Sequence, residues 1–461
     1  MTRRTIRIVA GSAAGVVLAA AAVAASFAPW PTVSATGPGT PAAPQIEVTP
    51  AAGQTVLACD GPLLALGRDA ADASKLASAA DTAVTSGAAA GDGPVQEADI
   101  GLPDVGTATS VTQDPVDGAP VSVAAATSAS LEEADLRGFA ASSCRPGSPE
   151  SWIAGSAVET GTTDVLVIAN PSDVTATVQL SVYGVDGRTT PAGGEIAVPA
   201  HEQRAVPVAS IAGGEETPVI RVIAEGAPVR TSLQSSTMRT LDPYGVDLQP
   251  GVLPAREAVV PHVHVTQRAA QAGEDPTQVR VLGTSGESGS VDIDVVEEDS
   301  GESVFSTTAE LTADVPVSVG FDGLEAGNYA VRLSGDVPFV SAVRQAASDD
   351  YAWFAPGEPL EGSALVAAPA SPIGSVALSF AALGDEGALV EITATGGGDT
   401  QTLELAAGRA DTISVPAEAT YTVNVVSGSV SGLASVGVDG SIGGFPIDPD
   451  PALPEPVTIV P

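Results

Sequence analysis

The stretch "TATVQLSVYGVDG", residues 175–187, holds the pattern that decides the fold. Its valines and leucine alternate with polar residues, and this period of two is typical of a strand that buries one face. The Asp-Gly pair at its end suits a tight hairpin turn. We therefore expect Val178, Leu180 and Val182 to be buried, with Gln179 and Ser181 facing outward.

The same order of strands returns along the chain. In the first copy, the opening stretch is followed by "APVRTSLQ" (227–234). Two further copies, each an alternating strand with a turn and then a closing strand, are "GSVDIDVVEEDSG" (289–301) with "VPFVSAVRQ" (337–345), and "ALVEITATGGGD" (388–399) with "GSVSGLASV" (428–436). Turns recur every 8–12 residues or so, which is the density expected of small antiparallel sandwiches.

These patterns predict an all-β protein of tandem immunoglobulin-like antiparallel β-sandwich domains. A β-propeller is the alternative, but the repeats are too long and unequal for blades of about 40–50 residues. Residues 45–150 resemble a degraded copy, with a short helix expected around Asp69–Ala80. The predicted segments are a signal peptide or membrane anchor (1–35), a Pro/Gly linker (36–44), an N-terminal β domain with an Ala-rich insert (45–150), three sandwiches (156–258, 262–350 and 360–445) and a Pro-rich extended tail (446–461).

Charge excludes several classes of partner. The chain has 461 residues, with 18 Lys and Arg against 56 Asp and Glu, and its formal net charge is -38. A surface this negative repels nucleic acid and anionic lipid headgroups. It favours solubility and attracts cations or basic partners.

The N-terminus carries the pattern of an export signal. Arg3, Arg4 and Arg7 form a basic segment, and the uncharged, Ala-rich run that follows (8–28) is just long enough to span a bilayer. Val33–Ala35 offers small residues for cleavage. Two interpretations remain open, a cleaved signal peptide and an uncleaved anchor. Both place the rest of the chain outside the membrane.

Cys59 and Cys144 are the two cysteines of the sequence. An even pair in an exported chain most simply forms a disulfide. The chain has no C-x-x-C pair, and two thiolates alone make a poor zinc site. In the chain-entropy model, a bridge closing so long a loop stabilises the fold by about 4–5 kcal/mol.

Candidate chemistry is sparse. The three histidines are His201, His262 and His264, and the last two share one face of a predicted strand without an identifiable third metal ligand. The sequence has neither the G-x-S-x-G nor the H-E-x-x-H pattern. We therefore assign no catalytic, cofactor or metal site. An acidic run (287–302) leaves calcium open, through Asp292, Asp294, Glu297, Glu298 and Asp299.

Two tryptophans lie in similar surroundings. "SPESWIAG" (148–155) and "SDDYAWFAPG" (348–357) both place a Trp after acidic and polar residues and before two apolar ones. Trp152 and Trp353 are therefore candidates for partner contact. The alternative is that both seal contacts between domains.

The basic leader, "VLVIANPSDVTATVQLSVYGVDG" (165–187), "APVRTSLQSS" (227–236) and "SWIAG" (151–155) together resemble an uncharacterised family of exported envelope proteins from high-GC Gram-positive actinobacteria. The likeness spans most of the chain after the leader. It implies an extracytoplasmic location and tandem sandwiches, and it adds no catalytic residues.

From these observations we predict a noncatalytic exported protein that acts as a structural or adaptor scaffold in the cell envelope. We expect its partner to be another envelope protein rather than cell-wall glycan, because such walls carry anionic polymers that the acidic surface repels. The alternative is a carbohydrate-binding array, and a secreted hydrolase ranks below it. We expect no nucleic-acid partner, and membrane contact only through the N-terminal segment.

Overall fold

The computed structural model describes residues 46–48, 53–89, 93–266, 277–321, 323–347, 349–438, 441–450 and 457–459. The predicted signal or anchor segment (1–35), the linker (36–44) and half of the Pro-rich tail (451–456 and 460–461) lie outside these residues. Within the described chain, no helix is long and apolar enough to cross a membrane. A first compact unit (1–50 with 454–461) contains one antiparallel strand pair, Ile46–Val48 (β1) with Val457–Ile459.

The second unit, Ala51–Leu453, is built from strands and one three-residue 3-10 helix, Val208–Ser210, within its described part. This confirms the all-β fold. We divide its strands into four modules. Module 1 comprises β2 (Thr55–Ala58), β3 (Leu63–Leu66), β4 (Leu76–Ala80), β5 (Ala83–Ala88), β6 (Gln96–Leu102), β7 (Gly106–Gln113), β8 (Val123–Glu132) and β9 (Arg137–Ser143).

Module 2 is a two-layered sandwich. Its strands are β10 (Glu150–Ile153), β11 (Thr162–Asn170), β12 (Ala176–Gly184), β13 (Gly187–Thr189), β14 (Glu195–Val198), β15 (Glu202–Pro207), β16 (Val219–Glu225), β17 (Arg230–Arg239) and β18 (Asp242–Pro250). One sheet has the order β10-β16-β12-β13 with β14 also on β12, and the other contains β18-β17-β11-β15. Apolar residues of both sheets, such as Val178, Leu180, Leu166 and Leu233, form one core between them.

The opening stretch forms β12, and four of the five predicted positions are as expected. Val178, Leu180 and Val182 are buried and Gln179 is exposed, as predicted. Ser181, which we expected to face outward, is 8% exposed. The neighbouring hairpin strand β13 covers it, and the Arg188 guanidinium donates to Ser181 Oγ at 3.3 Å.

Module 1 shares a sheet with module 2. Strands β6, β7 and β2 extend the sheet of module 2 beyond β15 through a parallel bridge between Glu202 and Gly101. Strands β5, β8 and β9 form a separate sheet. The prediction of a helix around Asp69–Ala80 is wrong. Turns in this segment lead into β4, and β4 pairs with β3 along Leu63–Leu66.

Module 3 is organised by one very long strand. Its strands are β19 (Ala255–Val265), β20 (Gln278–Gly283), β21 (Gly289–Glu297), β22 (Ser303–Leu311), β23 (Val317–Gly320), β24 (Gly327–Ala346) and β25 (Tyr351–Phe354). The first half of β24 pairs with β19 and β21, and its second half pairs with β20 and β25. Strand β24 therefore takes part in both layers, around a core that includes Val281, Ile293 and Val331.

Module 4 is a sandwich of two four-stranded sheets. Its strands are β26 (Ser363–Ala368), β27 (Ser375–Ala382), β28 (Ala388–Ala394), β29 (Gln401–Leu405), β30 (Ala410–Pro416), β31 (Ala419–Ser427), β32 (Val430–Val438) and β33 (Ser441–Ile447). The sheet orders are β26-β31-β28-β29 and β30-β27-β32-β33. Phe139 of module 1 joins its core, so the modules share apolar interiors.

Each module ends in a hairpin, and the four hairpins meet. The closing strands β9, β18, β25 and β33 pack against one another. The modules are therefore grouped around a common centre, which sequence periodicity alone did not indicate.

Candidate partner-binding cleft and the buried hub

A single carboxylate joins the four closing strands. Asp350 is fully buried, and its Oδ1 accepts from the backbone N–H groups of Tyr351 at 2.9 Å and Val246 at 3.3 Å. Its Oδ2 accepts from Ile442 at 2.9 Å and Phe139 at 3.1 Å. The four donors come one from each module. We call Asp350 and these four amides the hub.

Two glycines make room for this carboxylate. A Cβ on Gly138 would lie 2.8 Å from Asp350 Oδ1, and a Cβ on Gly245 would lie 2.6 Å from the same atom. Both glycines also have positive φ, at 134° and 97° respectively, where L side chains are strained. Burial raises the pKa of Asp350 well above its ordinary value, and the backbone N–H donors act in the opposite direction.

A second buried polar group ties module 1 to module 2. The guanidinium of Arg230 donates to both oxygens of Asp60, each at 2.5 Å, and both side chains are almost fully buried. Ser142 and Ser232 also donate to this carboxylate. Burial opposes ionisation of Asp60, but the Arg230 charge and these hydrogen bonds lower its pKa overall.

The disulfide expected from the sequence lies beside this ion pair. Cys59 directly follows β2 and Cys144 directly follows β9, and the two are bonded with their Cα atoms 4.2 Å apart. The bridge therefore joins the ends of the first and last strands of module 1. Both cysteines contribute to a small core with Leu57, Val111 and Val123.

Four proline-containing turns converge on one cavity of about 660 Å³. Each follows or ends a closing strand, and the turns are "RPGSP" (145–149), "PGVLP" (250–254), "PGEP" (356–359) and "PIDP" (446–449). All four contribute residues to the lining. We call this cavity the cleft. The repetition of a proline-bounded turn after each closing strand was visible in the sequence, and it is the signal that could have indicated the site.

An ion pair links the four turns to one another. The Arg145 guanidinium is paired with the Asp448 carboxylate and also donates to the Gly251 carbonyl at 2.9 Å. Asp448 Oδ1 accepts from the backbone N–H of Glu358 at 3.1 Å. Burial and the nearby charge of Arg230 lower the pKa of Arg145 to about 10, so it stays charged at neutral pH. The cleft is therefore held in one shape by contacts among its own turns.

The cleft walls are mainly apolar, and carboxylates outnumber guanidinium groups. Apart from its prolines and alanines, the apolar lining includes Leu57, Val252, Leu253 and Leu365. The lining contains no histidine, and its cysteine, Cys144, is in the disulfide. The charged side chains that line it are Glu150, Glu257, Glu358, Asp448, Asp450, Arg145 and Arg230.

Three side chains of the lining carry a buried polar atom without a hydrogen-bond partner. These atoms are Ser143 Oγ, Arg230 Nε and Thr231 Oγ1. Most buried polar groups in proteins are hydrogen-bonded, so such atoms call for a partner.

The structure places both candidate tryptophans in the interior. Trp152 is 1% exposed and packs against Tyr183, with ring centroids 5.1 Å apart, in a cluster that includes Leu282 of module 3. Trp353 is 4% exposed and clusters with Ala154 of module 2. The partner contact that we expected at Trp152 and Trp353 is wrong for this conformation, because neither ring is accessible. Both seal the contact between modules 2 and 3.

The two tryptophans do not occupy equivalent positions in the fold. Trp152 lies in β10, the first strand of module 2, whereas Trp353 lies in β25, the closing strand of module 3. The similarity of the two sequence segments therefore does not reflect a shared position in the fold.

The histidines have separate partners. His201 Nε2 lies 2.9 Å from Asp173 Oδ1, and His262 Nδ1 lies 2.7 Å from Glu298 Oε1. His264 Nδ1 lies 2.6 Å from the Asn328 side-chain oxygen. In the part of the chain that the structure describes, no group of three or more His, Cys, Asp or Glu residues is placed to hold a metal ion.

The acidic run around β21 is part of a hairpin. Asp292 accepts a hydrogen bond from Thr308 at 2.7 Å, and Asp294 accepts one from Ser303. Both donors belong to the partner strand β22. These two carboxylates therefore make cross-strand hydrogen bonds in the hairpin.

Comparison with known proteins gives a family and a distant structural likeness. The family described as "Family of unknown function (DUF5719)" matches residues 84–425. No curated protein matches the chain. A solved structure of the pilus backbone from Streptococcus pneumoniae is 11% identical, covers 50% of this chain and 84% of its own, and has a TM-score of 0.13. A TM-score this low supports no conclusion about function.

Proposed function

The chain belongs to DUF5719, a family of unknown function, and on that premise we propose that it is a noncatalytic scaffold exported to the cell envelope, where its cleft binds another envelope protein. The observation that carries this proposal is the convergence of four turns, one from each module, on a single cavity. Ligand sites occur preferentially at domain interfaces.

The hub and the turn contacts favour a binding scaffold. Asp350 joins backbone groups of all four modules, and Arg145 with Asp448 links the four turns. A site fixed before binding loses less entropy when a partner arrives. Binding is therefore a role that suits this construction.

The disulfide supports an extracytoplasmic location. Disulfides persist in oxidising compartments and are rare in the cytosol. The Cys59–Cys144 bridge lies in a core cluster of module 1, where a disulfide typically stabilises a fold by about 2–4 kcal/mol. This agrees with the basic and apolar N-terminal segment in the sequence.

The proposal is tested by photo-crosslinking in intact cells that express the full chain. A photoreactive residue replaces Leu253, which lines the cleft and is 49% exposed. The matched control carries it at Val185, which is 75% exposed in the turn between β12 and β13. We expect one envelope protein to be crosslinked from position 253 and not from position 185. Crosslinks only to glycan, or equal products from both positions, would contradict the proposal.

A further inference from the structure

We infer that the cleft takes a short extended polypeptide segment that carries a Lys or Arg beside aliphatic residues. This inference rests on the proposed function and specifies the part of the partner that binds. Three properties of the cleft lead to it, namely its excess of carboxylates, the aliphatic character of its walls and its volume.

The charge of the cleft is not balanced internally. Four of its charged groups are neutralised nearby, since Asp448 pairs with Arg145, Glu150 with Arg221 and Arg230 with Asp60. Glu257 and Glu358 line the cleft and are exposed, and neither forms a salt bridge among the described residues; the charge of Glu358 is felt by Arg145, whose pKa it raises.

These two carboxylates favour a cationic occupant. The overall charge of -38 adds a field of the same sign, which attracts cations and repels anions. Complementary charge gives specificity and speeds encounter more than it adds raw affinity. We therefore assign the Lys or Arg of the segment to the part of the cleft that Glu257 and Glu358 line.

The walls favour aliphatic groups over sugars. Phe445 is the one aromatic residue of the lining, and it is 2% exposed. Without an accessible ring, the cleft lacks a platform on which a sugar could stack. Leu253, the prolines and the other aliphatic residues instead offer surface on which Val, Leu or Pro side chains of a partner can pack.

The size of the cleft favours a short segment over a folded partner. The volume of about 660 Å³ lies within the range of small-ligand pockets, about 300–1,000 Å³, so a short segment fits and a folded domain does not.

The test uses the full chain in detergent and a display library of random twelve-residue peptides as the probe. We expect the enriched peptides to carry Lys or Arg next to aliphatic residues. Their binding should fall as salt rises, because the exposed charges are screened. Enrichment of acidic or aromatic sequences, or no enrichment, would overturn the inference.

Substitutions in the cleft test whether the peptide binds there. Glu257→Gln with Glu358→Gln removes the two exposed carboxylate charges and should weaken binding of an enriched peptide by about tenfold. The matched control, Asp385→Asn with Glu386→Gln, removes the same charge from an exposed turn of module 4 and should change affinity less than twofold or so. Leu253→Arg places a cation in the cleft and should abolish binding. Equal affinity of all three variants would place the peptide elsewhere and overturn the inference.

The two proposals fail in different ways. If the chain crosslinks an envelope protein from position 253 in cells but the library yields no cationic aliphatic peptide, the scaffold function stands and the inferred chemistry is wrong. If no envelope protein is crosslinked, the proposed function itself fails. Thermal unfolding of each variant confirms that a loss of binding is not a loss of folding.

Discussion

At the scale of the residue, Asp350 has the most consequential contacts. It is one of two adjacent aspartates, and nothing in the sequence distinguishes it from Asp349. Its partners are backbone groups of residues 139, 246 and 442, brought to it only by the complete fold. A role that depends on distant backbone atoms leaves no local pattern, so sequence analysis could not predict it.

We expect Asp350→Asn to lower the free energy of unfolding by about 3 kcal/mol. The amide keeps one acceptor oxygen but turns an N–H group toward donors that need an acceptor, and each buried donor left unpaired costs about 1–3 kcal/mol. Chemical denaturation of the full chain measures the change. Asp385→Asn, on an exposed turn, is the control and should stay within about 0.5 kcal/mol of the wild type. A hub variant as stable as the wild type would indicate that Asp350 is a neutral acid.

At the scale of the element, sequence analysis predicted those strands in which apolar and polar residues alternate because one face is buried. Strand β12 follows this rule because its core lies on one side. Strand β17 does not follow this rule, because its successive residues Arg230, Thr231 and Ser232 are all buried. Gln234 is buried as well, and all four side chains are polar. Residues of other modules cover the second face of the sheet that contains β17. This burial depends on tertiary contacts alone. The prediction of a helix around Asp69–Ala80 failed for a related reason. Alanine favours a helix in isolation, but the alanines of β4 pair with β3 in the fold.

Three strands of this sheet carry a buried row of polar side chains. Asp164 on β11 lies opposite Ser235 on β17, which lies opposite Asp247 on β18. Asp164 Oδ2 accepts from the backbone N–H of Ala157 at 2.6 Å, and Asp247 Oδ2 accepts from that of Trp353 at 2.8 Å. Burial raises the pKa of both carboxyl groups to about 7.

This row predicts a pH dependence of stability. Between a pKa of about 4 in the unfolded chain and about 7 in the folded one, the folded state binds more protons, so its free energy of unfolding falls as pH rises. The variant Asp164→Asn with Asp247→Asn stays neutral. We expect its free energy of unfolding to match that of the wild type near pH 3, below the unfolded pKa, and to exceed it by a few kcal/mol near pH 8, as measured by chemical denaturation at both pH values. A difference that is the same at both pH values would contradict the assignment.

At the scale of the whole molecule, four modules form one body because their closing strands meet. The sequence showed the repeat and the sandwiches, but it gave no sign that the hairpins converge, since each hairpin looks like an ordinary strand pair. The cleft follows from the same convergence, because the turns after the four closing strands reach one place. Unfolding of one module would therefore expose the hub and distort the cleft.

Hydrogen exchange at the hub tests most directly whether the four modules act as one body. The amides of Phe139, Val246, Tyr351 and Ile442 come from different modules and share one acceptor. In the full chain, we expect all four to exchange slowly and at a common rate, because they open only when the whole body unfolds. Asp350→Asn should accelerate all four by a similar factor. Exchange of any one of them orders of magnitude faster than the others would show that its module opens alone, and it would contradict a single scaffold built around the hub.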